Sequence, residues 1–102
     1  EYHYSLGVCE YNLKQYENAK THFNRAIEIE DFADAYLYIG AIYRLEGNLE
    51  KSLYYYRERV KRKSGDDDRY AREAMKGIRL ILNDMAEAEE KAQSDENKNS
   101  PN

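Results

Sequence analysis

The sequence predicts an all-α fold of about five helices, arranged as repeated helix–turn–helix pairs. Three observations carry this. Apolar residues recur at helical spacing almost throughout, and no stretch alternates with period two over a strand's length. The single Pro is Pro101 and there are only 5 Gly, so little interrupts a helix. The stretch YIGAIYRLEGNLEKSLYYY at 38–56 has an earlier counterpart, SLGVCEYNLKQYENAKTHF at 5–23, displaced by 33 positions. A fixed period of that size marks a helical array, in which each pair completes its core only by stacking on a neighbour.

The first helix spans Tyr2 to Leu13, with Tyr2, Leu6, Cys9 and Leu13 on one stripe, expected to pack. Lys14-Gln15 makes a tight turn. The second helix, Tyr16 to Ile29, packs through Tyr16, Ala19, Phe23, Ala26 and Ile27. The third, Phe32 to Leu45, presents Tyr36, Ile39 and Tyr43 beside Gly40. Gly47 closes it and Asn48 caps the fourth, which carries Leu49, Ser52, Leu53, Tyr56 and Val60 to about Lys63. Asp66-Asp67-Asp68 reads as the N-terminus of a fifth helix, where carboxylates accept orphan N–H groups. That helix is expected from Asp67 to about Ala92. Tyr70, Ala71, Ala74, Met75, Ile78, Ile81, Leu82 and Met85 form its buried arc, and Leu80 lies opposite, in solvent. Residues 93–102, without a large apolar side chain, are expected to be a disordered polar tail.

Composition bounds the function. A chain of 102 residues is one domain. Its net charge of −4 gives no overall basic footprint, which disfavours nucleic acid as a partner. One Cys, Cys9, excludes an internal disulfide and favours a cytoplasmic location, although the location itself is not fixed. No apolar run reaches the roughly 20 residues of a membrane span. The chain opens at Glu1 inside a patterned segment and reads as an excised piece.

No constellation for catalysis, metal binding or a cofactor appears. His3 and His22 lie on different helices without a ligating residue at i+4. Cys9 reads as a small buried hydrophobe. Gly7 and Gly40 lie within helices and serve close packing, not phosphate binding. The basic run from Arg57 to Lys63 reads as a solvated helix C-terminus, with an anionic surface as the competing reading. The chain is therefore expected to be no enzyme and to need no cofactor.

With Leu6-Gly7, Tyr16, Ala19, Phe23 and Ala26 in one copy, and Tyr36, Ile39-Gly40, Tyr43, Gly47, Leu49, Ser52 and Tyr56 in the other, the chain resembles the tetratricopeptide repeat family. The resemblance implies a right-handed solenoid of antiparallel helix pairs over 1–92: repeat one 1–31, repeat two 32–65, and a capping helix 66–92. Four positions depart from the pattern. His3 replaces a large aromatic, Glu10 a tyrosine, Asp31 the loop proline, and Arg59 the last small residue. The charge of Arg59 is expected to loosen docking of the helix that follows.

The resemblance also implies a non-enzymatic scaffold that holds a protein or peptide partner in the concave groove lined by first helices. Carried over position by position, the groove is Tyr4, Val8, Tyr11, Asn12, Leu37, Tyr38, Ala41, Arg44 and Leu45. The positions that clamp a terminal carboxylate in chaperone adaptors are here Tyr4, Val8 and Tyr38, which disfavours that mode. The alternative is structural self-association as a homo-oligomer, by end-to-end stacking or by swapping the last helix, with Leu80 on the contact surface.

Overall fold

The computed structural model describes residues 1–98. Five helices follow one another: α1 (Tyr2–Asn12), α2 (Tyr16–Glu30), α3 (Ala33–Leu45), α4 (Leu49–Lys61) and α5 (Arg69–Lys98). Each packs on its sequence neighbours, α3 also reaches α5, and the result is an elongated solenoid measuring 61 × 32 × 20 Å.

Within each pair a glycine faces an aromatic ring. A β-carbon placed on Gly7 would stand 2.8 Å from Phe23, and one on Gly40 would stand 2.7 Å from Tyr56. Both distances are below any tolerable contact, so only glycine lets the helices close at these points. The core cluster gathers Ala19, Phe23 and Ala26 of α2 with Ala35, Ile39 and Ile42 of α3. A second cluster joins Tyr56 of α4 to Ala74 and Ile81 of α5. Fully burying an Ile or Phe is worth about 1.5–3 kcal/mol, so these few side chains account for much of the cohesion. Ser52, in the small-residue site of α4, donates its hydroxyl to the Gly40 carbonyl at 2.6 Å and bolts α4 to α3.

The turns explain the departures from the repeat pattern. Asp31 closes α2 in the left-handed region, with φ 48°, which proline cannot adopt. Its carboxylate accepts a hydrogen bond from the Tyr36 hydroxyl and two from the Arg62 guanidinium, 2.9 and 3.0 Å away. Those donors hold the Asp31 carboxyl below its usual range, Arg62 first and Tyr36 second. The same Arg62 lies 4.0 Å above the Tyr36 ring. Gly47 takes φ 80° at the end of α3, and Asn48 accepts from the Lys51 N–H as the cap of α4. Lys14, in the corresponding place after α1, is forced to φ 62° without being glycine.

Four expectations are corrected. Arg59 does not loosen the next helix. It is 4% exposed and bridges three helices, donating to Asp34 of α3 at 3.2 Å and through one nitrogen to both oxygens of Asp68 at 2.8 and 2.9 Å. Asp68 itself caps α5 by accepting from the Ala71 N–H, so the helix starts two residues later than expected. The basic run is therefore less solvated than its composition implies, with Arg59 and Arg62 both consumed internally.

Second, α5 runs on past the bundle to Lys98, beyond the expected end at Ala92. No Gly or Pro interrupts residues 93–98, so nothing there stops the helix. Residues 99–102 of the expected tail lie outside the described residues. Third, the outer stripe of α1 is uncovered: Tyr2 is 73% and Leu13 68% exposed, and Cys9 is exposed, not buried. The helix packs instead through Tyr4, Gly7, Val8 and Tyr11. Fourth, Leu82 is left exposed, since the docked arc of α5 is narrower than its apolar arc.

Candidate interaction groove

Residues of α1, α3 and α5 meet around one hollow. Along α3, residues at i, i+4 and i+7 share one side, so Leu37, Ala41 and Arg44 line up there. Tyr38 lies beside them. From α1 comes Tyr11. From α5 come Tyr70, Glu73, Lys76, Gly77 and Leu80. Together with Tyr56 at the bottom they enclose a hollow of about 390 Å³. A second hollow adjoins it, sharing Tyr11, Ala41, Arg44 and Tyr56 and adding Leu45.

Of the groove residues read from the sequence, Tyr11, Leu37, Tyr38, Ala41, Arg44 and Leu45 come together around these hollows. Tyr4 and Val8 do not line them. They pack against the core, with the Tyr4 ring 4.5 Å from Phe32 and 5.9 Å from Tyr38. Burial accordingly pushes the Tyr4 hydroxyl far above its usual pKa. Asn12 is exposed and outside the lining.

Leu80, assigned above to self-association, faces the groove at 38% exposure. The whole α5 wall was missed. Its signal was present: Gly77 in mid-helix marks a close approach, and a β-carbon there would stand 2.6 Å from Tyr56. Tyr70, Glu73, Gly77 and Leu80 fall at i, i+3, i+7 and i+10, one face of the helix.

Chemically, the lining combines the apolar Leu37, Ala41 and Leu80 with Tyr11, Tyr38, Tyr56 and Tyr70. Arg44 and Lys76 bring two cations and Glu73 one carboxylate. Burial raises the pKa values of Tyr11, Tyr38 and Tyr56, so their hydroxyls stay protonated and act as hydrogen-bonding groups, not as bases. Among the described residues no three His, Cys, Asp or Glu side chains converge as metal ligands. No described helix is long and apolar enough to cross a membrane.

The tetratricopeptide repeat family profile matches residues 1–31, ending at the left-handed residue that closes α2. The chain carries a tetratricopeptide repeat. Tetratricopeptide repeats are protein-binding units without catalysis of their own. Two curated relatives, both described as "BBSome complex member BBS4", come from Bos taurus and Mus musculus. Each is 32% identical over 57 residues, covering 56% of this chain and 11% of the relative. The similarity thus spans about a tenth of the length of those proteins. No solved structure matches the chain. Beyond the matched segment, the α3–α4 pair repeats one contact of the α1–α2 pair, with Gly40 and Tyr56 meeting as Gly7 and Phe23 do.

Proposed function

We propose that this chain is a protein-interaction module whose groove between α1, α3 and α5 holds a helical or extended segment of a partner protein. The observation that carries the reading is the hollow between α1, α3 and α5, whose lining combines apolar side chains with tyrosines and opposite charges. Such a lining matches an amphipathic segment: its apolar side chains meet Leu37, Ala41 and Leu80 while its polar ones meet the tyrosines and charges. The relatives are named as members of a multiprotein complex, which supports an assembly role.

The test is affinity capture from lysate of the source, read by mass spectrometry, with the wild-type chain and with Ala41→Arg and Leu80→Glu. Both positions border the groove without belonging to the fully buried core, so the thermal melt is expected to hold. Partners recovered by the wild type are expected to be lost with both variants. Undiminished recovery with both sinks the groove assignment.

A further inference from the structure

A cation that gives up part of its contact with water is normally met by a carboxylate. Among the described residues the Lys and Arg side chains that are buried or half-buried are Lys20, Arg44, Arg59 and Arg62. Three of them are met. Lys20 lies 2.8 Å from Glu46, Arg59 2.8 Å from Asp68 and Arg62 2.9 Å from Asp31. Arg44, which lines both hollows of the groove, has no carboxylate within ion-pair distance among the described residues.

The Arg44 charge acts on the inside of the hollow. Burial raises the pKa of the Tyr56 hydroxyl there, and Arg44 opposes that rise. Lys76, on the α5 wall, is a second cation of the lining that meets no carboxylate among the described residues. Glu73, the one carboxylate of the lining, stands one turn before Lys76. Along that wall the negative charge therefore lies toward Tyr70 and the positive toward Leu80. Arg69, Arg72 and Arg79 add three exposed cations on the same helix, in a chain whose net charge is −4. Such a local reversal of sign draws anionic partners to this side of the molecule.

Resting on the groove reading above, we infer that the occupant is an acidic amphipathic segment of a partner protein, whose Glu or Asp side chains pair with Arg44 and Lys76 while its apolar side chains cover Leu37, Ala41 and Leu80. The contact supplies Arg44 with the counter-charge that the other half-buried cations find within the chain. A second copy fits less well. The acidic part of this chain, beyond Met85, carries no large apolar side chain between Ala86 and Lys98, so it leaves Leu37 and Leu80 uncovered. A nucleic acid brings charge at every step and has no apolar strip for the same three residues.

The probes are fluorescein-labelled peptides of about four helical turns, amidated at the C-terminus so that only side chains carry carboxylates. All share one leucine pattern, at helical spacing in one set and alternating in another. The positions beside the leucines are Glu, Gln or Lys. Binding to the full chain is followed by anisotropy. Two partly exposed ion pairs are together worth about tenfold, so in low salt the Glu peptide is expected to bind about tenfold tighter than the Gln peptide, and the Lys peptide most weakly. The Glu advantage should shrink toward nothing as NaCl approaches about 1 M. Arg44→Gln with Lys76→Gln should bring the Glu and Gln peptides level, and Arg44→Glu with Lys76→Glu should reverse the order in favour of Lys. A reversal is a gain of binding, which an unfolded variant cannot give.

Equal affinity for the Glu and Gln peptides overturns the inference. So does a Glu preference that survives both double variants, which would place the contact on Arg72 or Arg79 outside the lining. A Gln peptide with a free C-terminus that matches the Glu peptide would assign Arg44 and Lys76 to a terminal carboxylate and overturn the proposed occupant. If no peptide binds while capture from lysate is still lost with Ala41→Arg and Leu80→Glu, the groove reading stands and this one falls. If capture is undiminished with those variants, the groove reading falls and this inference with it.

Discussion

Set side by side, the α1–α2 and α3–α4 pairs keep one element and exchange nearly everything around it. Kept is the steric lock, Gly7 with Phe23 and Gly40 with Tyr56. Exchanged is the layer beside it. In the second pair three tyrosines meet: Tyr55 lies 5.7 Å from Tyr43 and 6.2 Å from Tyr36, ring to ring. In the first, the same three places hold His22, Glu10 and His3. His22 lies 2.6 Å from the Glu10 carboxylate and stacks on His3 at 5.8 Å. Helix closure tolerates no alternative to glycine at the crossing, whereas the neighbouring layer accepts either three tyrosines or two imidazoles and a carboxylate.

The largest test of this comparison is at the Ala26 and Arg59 pair. Arg59 is tolerated because Asp34 and Asp68 wait for it. Ala26→Arg places the same charge in a site that is 4% exposed and where Ala35 stands in the place of Asp68. It is expected to cost about 3–5 kcal/mol, read by urea unfolding. Arg59→Met strands two carboxylates and should cost about 3 kcal/mol.

The Asp68 carboxyl is held well below its usual range, by the N–H groups of Ser64 and Ala71 first and by Arg59 as well. Its contribution is therefore complete above the unfolded value of 3.8 and is lost as pH falls through the lower native value. Unfolding midpoints measured from pH 6 downward should drop below about pH 4, and Asp68→Asn should flatten that slope.

An intermediate effect separates the two rings. Phe23 is fully buried and stacked on Tyr38 at 5.0 Å, while Tyr56 lines the groove. Phe23→Tyr is expected to cost about 2 kcal/mol, since the added hydroxyl has no exit. Tyr56→Phe should cost less than about 1 kcal/mol, the size of one ordinary hydrogen bond. Equal costs in denaturant titrations would erase the distinction.

The smallest effect concerns the turns. Lys14 and Gly47 occupy the same left-handed place, yet one has a side chain. Lys14→Gly should stabilise by up to about 1 kcal/mol, and Gly47→Lys should destabilise by about as much. A differential-scanning melt of each variant shows the sign.

How far the sequence revealed these features depended on how local their causes are. The Gly47-Asn48 break and cap, the glycine–aromatic spacing and the number of helices were legible because each arises within a few residues. The packed side of α1 was not. That helix has two apolar stripes, and periodicity alone does not say which one a neighbour covers. Arg59 was misread because its partners lie 25 residues before and 9 after it. Half of the groove was legible through α3. The α5 wall was not, because reading that helix as a cap assigned it only a covering role. Its full length was not legible because polar composition reads as disorder, although no Gly or Pro interrupts residues 93–98.

The length of α5 has a mechanical consequence. Its docked contacts end near Met85, and from Ala86 to Asp95 every side chain is exposed. At about 1.5 Å per residue, the part beyond Met85 is a lever roughly 20 Å long. Its fulcrum is the seat where Ala74, Gly77 and Ile81 meet α4. The residues that α5 gives to the groove, Tyr70 to Leu80, sit on or before that seat, on the same unbroken rod. A tilt of about 10° at the seat moves the far tip, about 30 Å away, by roughly 5 Å. Whatever wedges into the groove against Leu80 or Lys76 is thereby transmitted, without any intervening joint, to the outermost turns of the molecule.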